Sequence, residues 1–316
     1  MSELRAGAET AVHQCLELEA DESCVVVTDD ERESVGEALY AVASEVTDDA
    51  AIVRYPPGNQ HGAEPPEPVA AAIRGADAFL APTTKSLSHT RARSEATESG
   101  ARGSTLPGIT EDVFVAGLDA DYDRIRQVCE ETLEQVADAD EVRVTTERGT
   151  DVTFAMGDRE WLADTGDVSE PGSFSNLPAG EVFVSPASAE GTYVVDGTMR
   201  PHGLLEDREL EFVVEDGLVT DISDDEIRRQ VEEAEAAVGD AARNLAELGI
   251  GTNVGVTDLV GSVLLDEKAA GTVHIAIGDD ASIGGETEAP LHLDGIVRDP
   301  TVYVDGEPID LPSTDD

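Results

Sequence analysis

Histidine placement is the most informative chemical feature of this chain, because only six of its 316 residues are histidine. In the segment GTVHIAIG, period-two alternation predicts a strand with His274 on the face opposite the valine and the isoleucines. The segment LHLD repeats this pattern, so His292 and Asp294 share one face. An imidazole and a carboxylate on one strand face can bind the same metal ion. A simple solvated strand face predicts the same pattern, and that alternative stays open.

Two carboxylates are candidates to complete such a site. Glu181 follows the turn NLPAG and opens the segment EVFVSP, where the proline and glycine fix the backbone. Glu247 falls in the last turn of a long helix predicted over 224–248, with Ser223 as N-cap and Gly249 as its end. An anion there opposes the helix dipole by up to about 1 kcal/mol, which indicates a tertiary role. Chance is the alternative, since acids are abundant in this chain.

The charge of the chain is extreme, with 69 Asp and Glu against 20 Lys and Arg and a formal net charge of −49. This charge excludes nucleic acid as a natural partner and disfavours anionic membranes, because both would be repelled. It also destabilises the compact state unless salt screens the repulsion. Acids spread along the whole chain, with only two lysines, are typical of cytoplasmic proteins from salt-accumulating halophiles such as archaea.

The spacing of the cysteines and the hydropathy of the chain indicate its cellular compartment. The three cysteines, Cys15, Cys24 and Cys129, form no CxxC pair and predict neither a disulfide framework nor a zinc knuckle. We expect each to behave as a small, partly buried hydrophobic residue. No apolar run approaches the roughly 18 residues of a membrane span, and the start MSELRAGAE lacks signal-peptide features. The expected location is the cytoplasm.

The hydrophobic pattern predicts two regions. Residues 1–138 alternate short β-branched runs with helical stretches, which predicts an α/β domain with a parallel sheet. Its predicted strands are 23–28, 51–55 and 78–81, and its predicted helices are 31–45, 68–74, 87–99 and 121–136. Residues 139–316 instead predict an α+β metal-binding catalytic domain with mostly antiparallel strands, including a hairpin over 141–157.

Four short motifs carry a family resemblance. The series PAGEVFVSP, AELGIGTN, DEKAAGTVHIAIG and HLDGI, spread over 176–296, resembles the leucyl aminopeptidase family that includes aminopeptidases T and S. The resemblance implies a homodimer with two divalent ions per site, zinc, cobalt or manganese, which activate water to remove N-terminal residues from small peptides. The implied metal ligands are Glu181, Glu247, His274, His292 and Asp294.

The chain departs from the peptidase pattern at one position. Family members place a tyrosine seven residues beyond the first metal histidine, and Ala281 stands there in this chain. No catalytic base can therefore be assigned. The stretch 84–110 is more similar to a shorter branch resembling 2,5-dihydroxypyridine 5,6-dioxygenase, in which two histidines and one aspartate hold a single Fe(II). This similarity implies that His89 contacts the substrate, although an exposed histidine at a helix start is the alternative.

Three functions follow from these observations. The first choice is a metallo-aminopeptidase, and its five ligands should lie within about 7 Å of one centre. The alternative is a mononuclear Fe(II) ring-cleaving dioxygenase acting on a small aromatic molecule. A third possibility is a family member that binds a ligand without turnover, and the complete ligand set opposes it. The histidines His13, His61 and His202 are expected to be surface residues.

Overall fold

The computed structural model describes residues 2–314. Backbone contacts separate the chain into two units. The first contains the residues up to Arg126 together with Asp164–Ala179, and the second contains Gln127–Ala163 together with the chain from Gly180 onward. The division into domains at residues 138 and 139 stays a prediction.

The first unit is built on a five-stranded parallel sheet, as the alternating pattern predicts. Its strand order is β2-β1-β3-β4-β8. The strands are β1 (Cys24–Asp29), β2 (Ala50–Tyr55), β3 (Ala78–Thr83), β4 (Arg102–Pro107) and β8 (Phe174–Asn176). The helices are α1 (Ser2–Thr10) with a π-helical turn over Ala11–Cys15, α2 (Glu33–Val46), α3 (Glu67–Gly75), α4 (Arg91–Glu98) and α5 (Glu111–Leu118).

The core of this unit lies between the sheet and its helices. Strands β1 and β3 are buried along their whole length, which explains their continuous apolar runs. Helix α4 begins four residues later than predicted, because the Thr90 hydroxyl accepts a hydrogen bond from the Arg93 N–H at 3.3 Å and sets the N-cap. Helix α6, Tyr122–Val136, contains the boundary at Arg126.

The second unit contains antiparallel sheets, which confirms the predicted α+β architecture. One sheet has the order β14-β13-β10-β6-β5-β18-β19. Its strands are β5 (Glu141–Thr145), β6 (Asp151–Ala155), β10 (Ser188–Val195), β13 (Leu210–Glu215), β14 (Leu218–Ile222), β18 (Thr301–Val304) and β19 (Glu307–Pro308). The predicted hairpin over 141–157 is the pair of β5 and β6.

A second seven-stranded sheet positions the candidate site. Its order is β12-β11-β17-β16-β15-β9-β7. Its strands are β7 (Leu162–Asp164), β9 (Glu181–Val184), β11 (Thr198–Met199), β12 (Gly203–Leu204), β15 (Leu245–Gly251), β16 (Val273–Gly278) and β17 (His292–Val297). A short helix, α8 (Val263–Asp266), precedes β16.

The predicted long helix over 224–248 is wrong in its second half. Helix α7 spans Asp225–Val238 and ends at Gly239, which adopts a φ of 68° that suits glycine. A short 3-10 helix follows, and the segment LAELGIG then forms β15, all of whose residues are buried. The N-cap is Asp224 rather than Ser223, because its carboxylate accepts the N–H groups of Glu226 and Ile227. Glu247 therefore lies on a central strand.

All three cysteines are buried, and they form no disulfide with one another. Between residues 2 and 314, none of the helices has the length and apolar character that crossing a membrane requires.

Candidate metal centre

Four adjacent strands supply the predicted metal ligands. Glu181 opens β9, Glu247 lies on β15 and His274 on β16, while His292 and Asp294 lie on β17. These strands are hydrogen-bonded neighbours in the order β17-β16-β15-β9. Side chains on one face of neighbouring strands are close enough to interact, so the sheet brings together all five residues.

A glycine on β15 makes room for the first histidine. Gly249 pairs with His274 across the two strands. A Cβ atom at this position would lie 2.0 Å from the Nε2 atom of His274, which is far inside van der Waals contact. The ring therefore occupies the space that any larger residue would fill, and from there it reaches Glu247. This contact explains why glycine follows the Glu-Leu pair in the segment AELGIG.

The start of β9 is held in place by two features. Gly180 adopts a φ of 119°, and a Cβ there would lie 2.8 Å from the Cβ of Asn253. The backbone carbonyl of Glu181 accepts a hydrogen bond from the thiol of Cys129 at 3.8 Å, and the same sulfur lies 2.9 Å from the hydroxyl of Thr252. The Glu181 side chain thus begins from a fixed backbone position.

The side chains meet at the imidazole nitrogens. His274 Nε2 lies 3.1 Å from Glu247 Oε1 and 3.4 Å from Glu181 Oε2. His292 Nε2 lies 3.2 Å from Glu247 Oε2 and 3.1 Å from Asp294 Oδ1. The Glu247 carboxylate therefore lies between the two histidines and contacts one with each oxygen.

The hydrogen bonding of His292 favours one tautomer. Its Nδ1–H donates to the backbone carbonyl of Asp279 at 2.7 Å, so Nε2 faces Glu247 and Asp294 and is the nitrogen that can bind a metal ion once it has lost its proton. Backbone carbonyls orient metal-binding histidines in this way in many proteins. His274 is almost completely buried, and its Nδ1 has no hydrogen-bond partner within residues 2–314.

The electrostatic environment changes the protonation of the cluster. Burial alone would lower the pKa of His274, but the bound Glu247 carboxylate and nearby Glu181 raise it to about 9. Burial likewise opposes protonation of His292, and the Asp294 and Glu247 carboxylates raise its pKa. Burial raises the pKa of Glu181 against the opposing effect of the Lys268 ammonium. Without an ion, protons on both imidazoles thus balance the carboxylates.

The donor set fits a divalent ion. Two groups of ligand atoms each lie within 4.8 Å of one another: Glu181, Glu247 and His274 form one, and Glu247, His292 and Asp294 form the other. Glu181 Oε2 is buried, accepts no hydrogen bond from any described residue and lies 3.4 Å from His274 Nε2, so an ion held by that nitrogen would face this oxygen. Mixed imidazole and carboxylate ligands suit zinc, manganese and iron. The prediction that this cluster can hold a metal ion is therefore supported.

Sequence reasoning missed Lys268 and Glu267, two charged residues beside the predicted ligands. The ammonium of Lys268 is buried and contacts Glu181 Oε1, and it also lies 3.0 Å from Glu267 Oε1. The turn after α8 positions it, since the Lys268 carbonyl accepts the Asn253 N–H at 2.8 Å. The available signal was composition: Lys268 is one of two lysines in the chain, and it lies inside the motif DEKAAG.

A small cavity of about 110 Å³ opens beside the cluster. His292, Asp294 and Glu267 contribute to its lining together with Arg200, which sequence reasoning also missed. Arg200 follows β11 in the turn that leads to β12. The cavity gives a small molecule access to the predicted ligands His292 and Asp294.

The remaining predicted residues lie elsewhere. His89 is exposed in the first unit, just before α4, and its role as a substrate contact stays a prediction. Ala281 is exposed in the loop after β16, so no phenol side chain is available at that position. The expectation that His202 is a surface residue is wrong, because its side chain is only 14% exposed and its Nε2 lies 3.0 Å from the N-cap residue Asp224.

The fold and the cluster together define a two-unit protein with a partly buried carboxylate and histidine site suited to a metal ion. Residues 6–311 match the family described as 2,5-dihydroxypyridine 5,6-dioxygenase, and the chain belongs to this family. A 2,5-dihydroxypyridine 5,6-dioxygenase of Pseudomonas putida is 24% identical over 213 residues. That similarity covers 63% of this chain and 60% of the relative.

Two solved structures share the fold. The 2,5-dihydroxypyridine dioxygenase from Pseudomonas putida superimposes with a TM-score of 0.78 at 21% identity, over 98% of this chain and 96% of that one. AmpT from Thermus thermophilus gives a TM-score of 0.70 at 19% identity, over 98% of this chain and 97% of that one. Both proteins therefore share the fold of this chain.

Proposed function

We propose that this protein is a mononuclear Fe(II) enzyme that cleaves the ring of a small aromatic diol with molecular oxygen. The proposal reverses our first choice from the sequence, the aminopeptidase, and takes up its alternative. The family membership and the name of the Pseudomonas putida relative support this choice. The observation that carries it is the Lys268 ammonium on Glu181.

The lysine bears on the number of ions that the site holds. A site with two divalent ions would use both groups of ligand atoms, whereas an ion held by His274, His292 and Asp294 would leave Glu181 without a metal. Because the buried Lys268 ammonium contacts Glu181 and Glu267, it already supplies positive charge on that side of the cluster. A second divalent ion beside Glu181 would be repelled by this ammonium in a region of low dielectric constant.

By resemblance to the dioxygenase branch, the ion would then be held by His274, His292 and Asp294. In this structure His292 and Asp294 share one group of ligand atoms, His274 belongs to the other, and Glu247 belongs to both. Fe(II) held by these residues would supply open positions for oxygen and an aromatic diol. The protein orients His292 through the Asp279 carbonyl and holds Glu247 between the two imidazoles. Burial opposes ionisation of Glu247, but its contacts with His274 and His292 lower the pKa of its carboxyl, so it stays a carboxylate that fixes both rings.

Oxygen uptake tests the proposal. Protein loaded anaerobically with one equivalent of Fe(II) should consume one molecule of oxygen per molecule of 2,5-dihydroxypyridine, the probe substrate. A ferrous chelator should abolish the uptake, and His292→Ala should remove it as well. Hydrolysis of amino-acid p-nitroanilides by protein loaded with zinc or cobalt, without any oxygen uptake by the iron form, would overturn the proposal.

A metallo-aminopeptidase is the second candidate, and one observation favours it. Glu247 belongs to both groups of ligand atoms, as a carboxylate that bridges two ions would. The fold shared with the aminopeptidase AmpT is consistent with this candidate. The exposed Ala281 speaks against it, because the family peptidases have a tyrosine at this position.

A further inference from the structure

Arg200 has no partner among residues 2–314, although it lines a cavity that contains carboxylates. Its guanidinium makes no hydrogen bond and no ion pair with any residue in the described part of the chain, 2–314. Arg208, only eight residues later, instead donates to Asp224 Oδ2 at 2.7 Å. In a chain with a net charge of −49, a guanidinium left without a carboxylate at the candidate site requires an explanation.

The position of Arg200 is fixed by the strand pairing. Met199 on β11 pairs with Gly295 on β17, so the antiparallel register brings Arg200 alongside Asp294. Asp294 is already engaged by His292, since its Oδ1 lies 3.1 Å from His292 Nε2. The guanidinium is therefore exposed beside the cluster and remains available for a ligand.

The rest of the cavity indicates the shape of that ligand. Val263 and Leu264 contribute apolar surface to the same wall, and both are buried. The volume of about 110 Å³ is of the same order as the ~150 Å³ cavity that holds benzene in another protein. A single flat ring fits these dimensions, with one edge towards His292 and Asp294.

We propose that Arg200 is a substrate-binding residue and that the natural substrate is a single aromatic ring carrying a carboxylate. The guanidinium binds the carboxylate with two parallel hydrogen bonds, a geometry that lysine cannot provide. The carboxylates around the cavity repel any anion, so this cation decides whether an acid can enter. The inference rests on the proposed function, because it names the class of molecule that the same site accepts.

Calorimetry with matched ligands tests the inference without turnover. The protein is loaded with zinc, which does not activate oxygen, and titrated with 2,5-dihydroxybenzoate or with 2,5-dihydroxybenzamide, its neutral analogue. We expect the acid to bind about 10- to 100-fold more tightly than the amide, the range for hydrogen bonds to charged groups. Arg200→Gln should remove this preference, while Arg200→Lys should retain part of it.

The control is Arg229→Gln. This arginine of α7 is 61% exposed and does not line the cavity. It should keep the full preference for the acid. Equal affinity for acid and amide in the unaltered protein, including no binding of either, would overturn the inference. So would a preference that survives Arg200→Gln. Oxygen uptake is not measured here, so a failure of the ring-cleavage proposal is detected separately.

Discussion

The carboxylate of Glu247 and the imidazole of His274 face each other across neighbouring strands, with 3.1 Å between Oε1 and Nε2. The other Glu247 oxygen lies 3.2 Å from His292 Nε2. Removing this charge without changing the size of the side chain should weaken metal binding, because Glu247 contacts both histidines. We expect Glu247→Gln to lower the affinity for zinc about 10- to 100-fold. Competition with a fluorescent chelator measures this affinity.

Glu233→Gln is the matched control, since this glutamate of α7 is 74% exposed. Its zinc affinity should equal that of the unaltered protein. Unchanged affinity in Glu247→Gln would show that the carboxylate plays no part in binding the ion.

Lys268 should control how many ions the cluster accepts. Lys268→Met removes the ammonium from Glu181 and Glu267, so a second divalent ion can take its place. We expect a second equivalent of zinc to bind to this variant, whereas Lys268→Arg, which keeps the charge, should still bind one. Native mass spectrometry provides the count.

The same substitution leaves buried carboxylates uncompensated, which costs about 3–5 kcal/mol in the absence of metal. Lys268→Met should therefore unfold at a lower temperature than the unaltered protein when metal-free, and excess zinc should restore its stability. If the folded variant binds a single equivalent at saturating zinc, the lysine does not set the metal count.

Metal binding should release protons near neutral pH. The pKa of His274 is raised to about 9 by the nearby carboxylates, so its imidazole is protonated at pH 7 in the metal-free protein. A metal ion binds only the neutral ring, and the proton must leave. Zinc affinity should therefore rise with pH as His274 loses its proton around pH 9, and loss of the proton from His292, whose pKa is also raised, adds to this rise. Calorimetry in two buffers of different ionisation enthalpy measures the protons released, and a release of zero at pH 7 would contradict the raised pKa.

Stability should depend strongly on salt. The 69 acids repel one another, and the Debye length shrinks from about 10 Å at 0.1 M to about 3 Å at 1 M salt. We expect the unfolding temperature to rise steeply between 0.1 M and 2 M potassium chloride, followed by circular dichroism. An unfolding temperature that does not change over this range would contradict the prediction of salt adaptation.

The candidate site was more predictable than the path of the chain through it. His274, His292 and Asp294 were found because strand alternation fixes which residues share a face. The sequence identifies Glu247 as a candidate but predicts a helix there, because residues 245–248, LAEL, are strong helix formers. Burial between two strands overrides that local preference, and a sequence window cannot show it.

The charges around the ligands were harder to predict. Lys268 and Arg200 reach the site through the turn after α8 and the turn after β11, and neither turn has a pattern that reveals its neighbours. Only the rarity of lysine pointed to Lys268, and nothing in the sequence distinguished Arg200 from the other arginines. Their roles depend on contacts between residues far apart in the chain.

The number of metal ions in the unaltered protein tests the account most directly. The chain should be purified in molar potassium chloride, saturated anaerobically with Fe(II), freed of excess metal, and analysed by inductively coupled plasma mass spectrometry. The account predicts one equivalent of iron per chain, because the Lys268 ammonium takes the place of a second ion beside Glu181. Two equivalents per chain would contradict it and favour the dinuclear aminopeptidase.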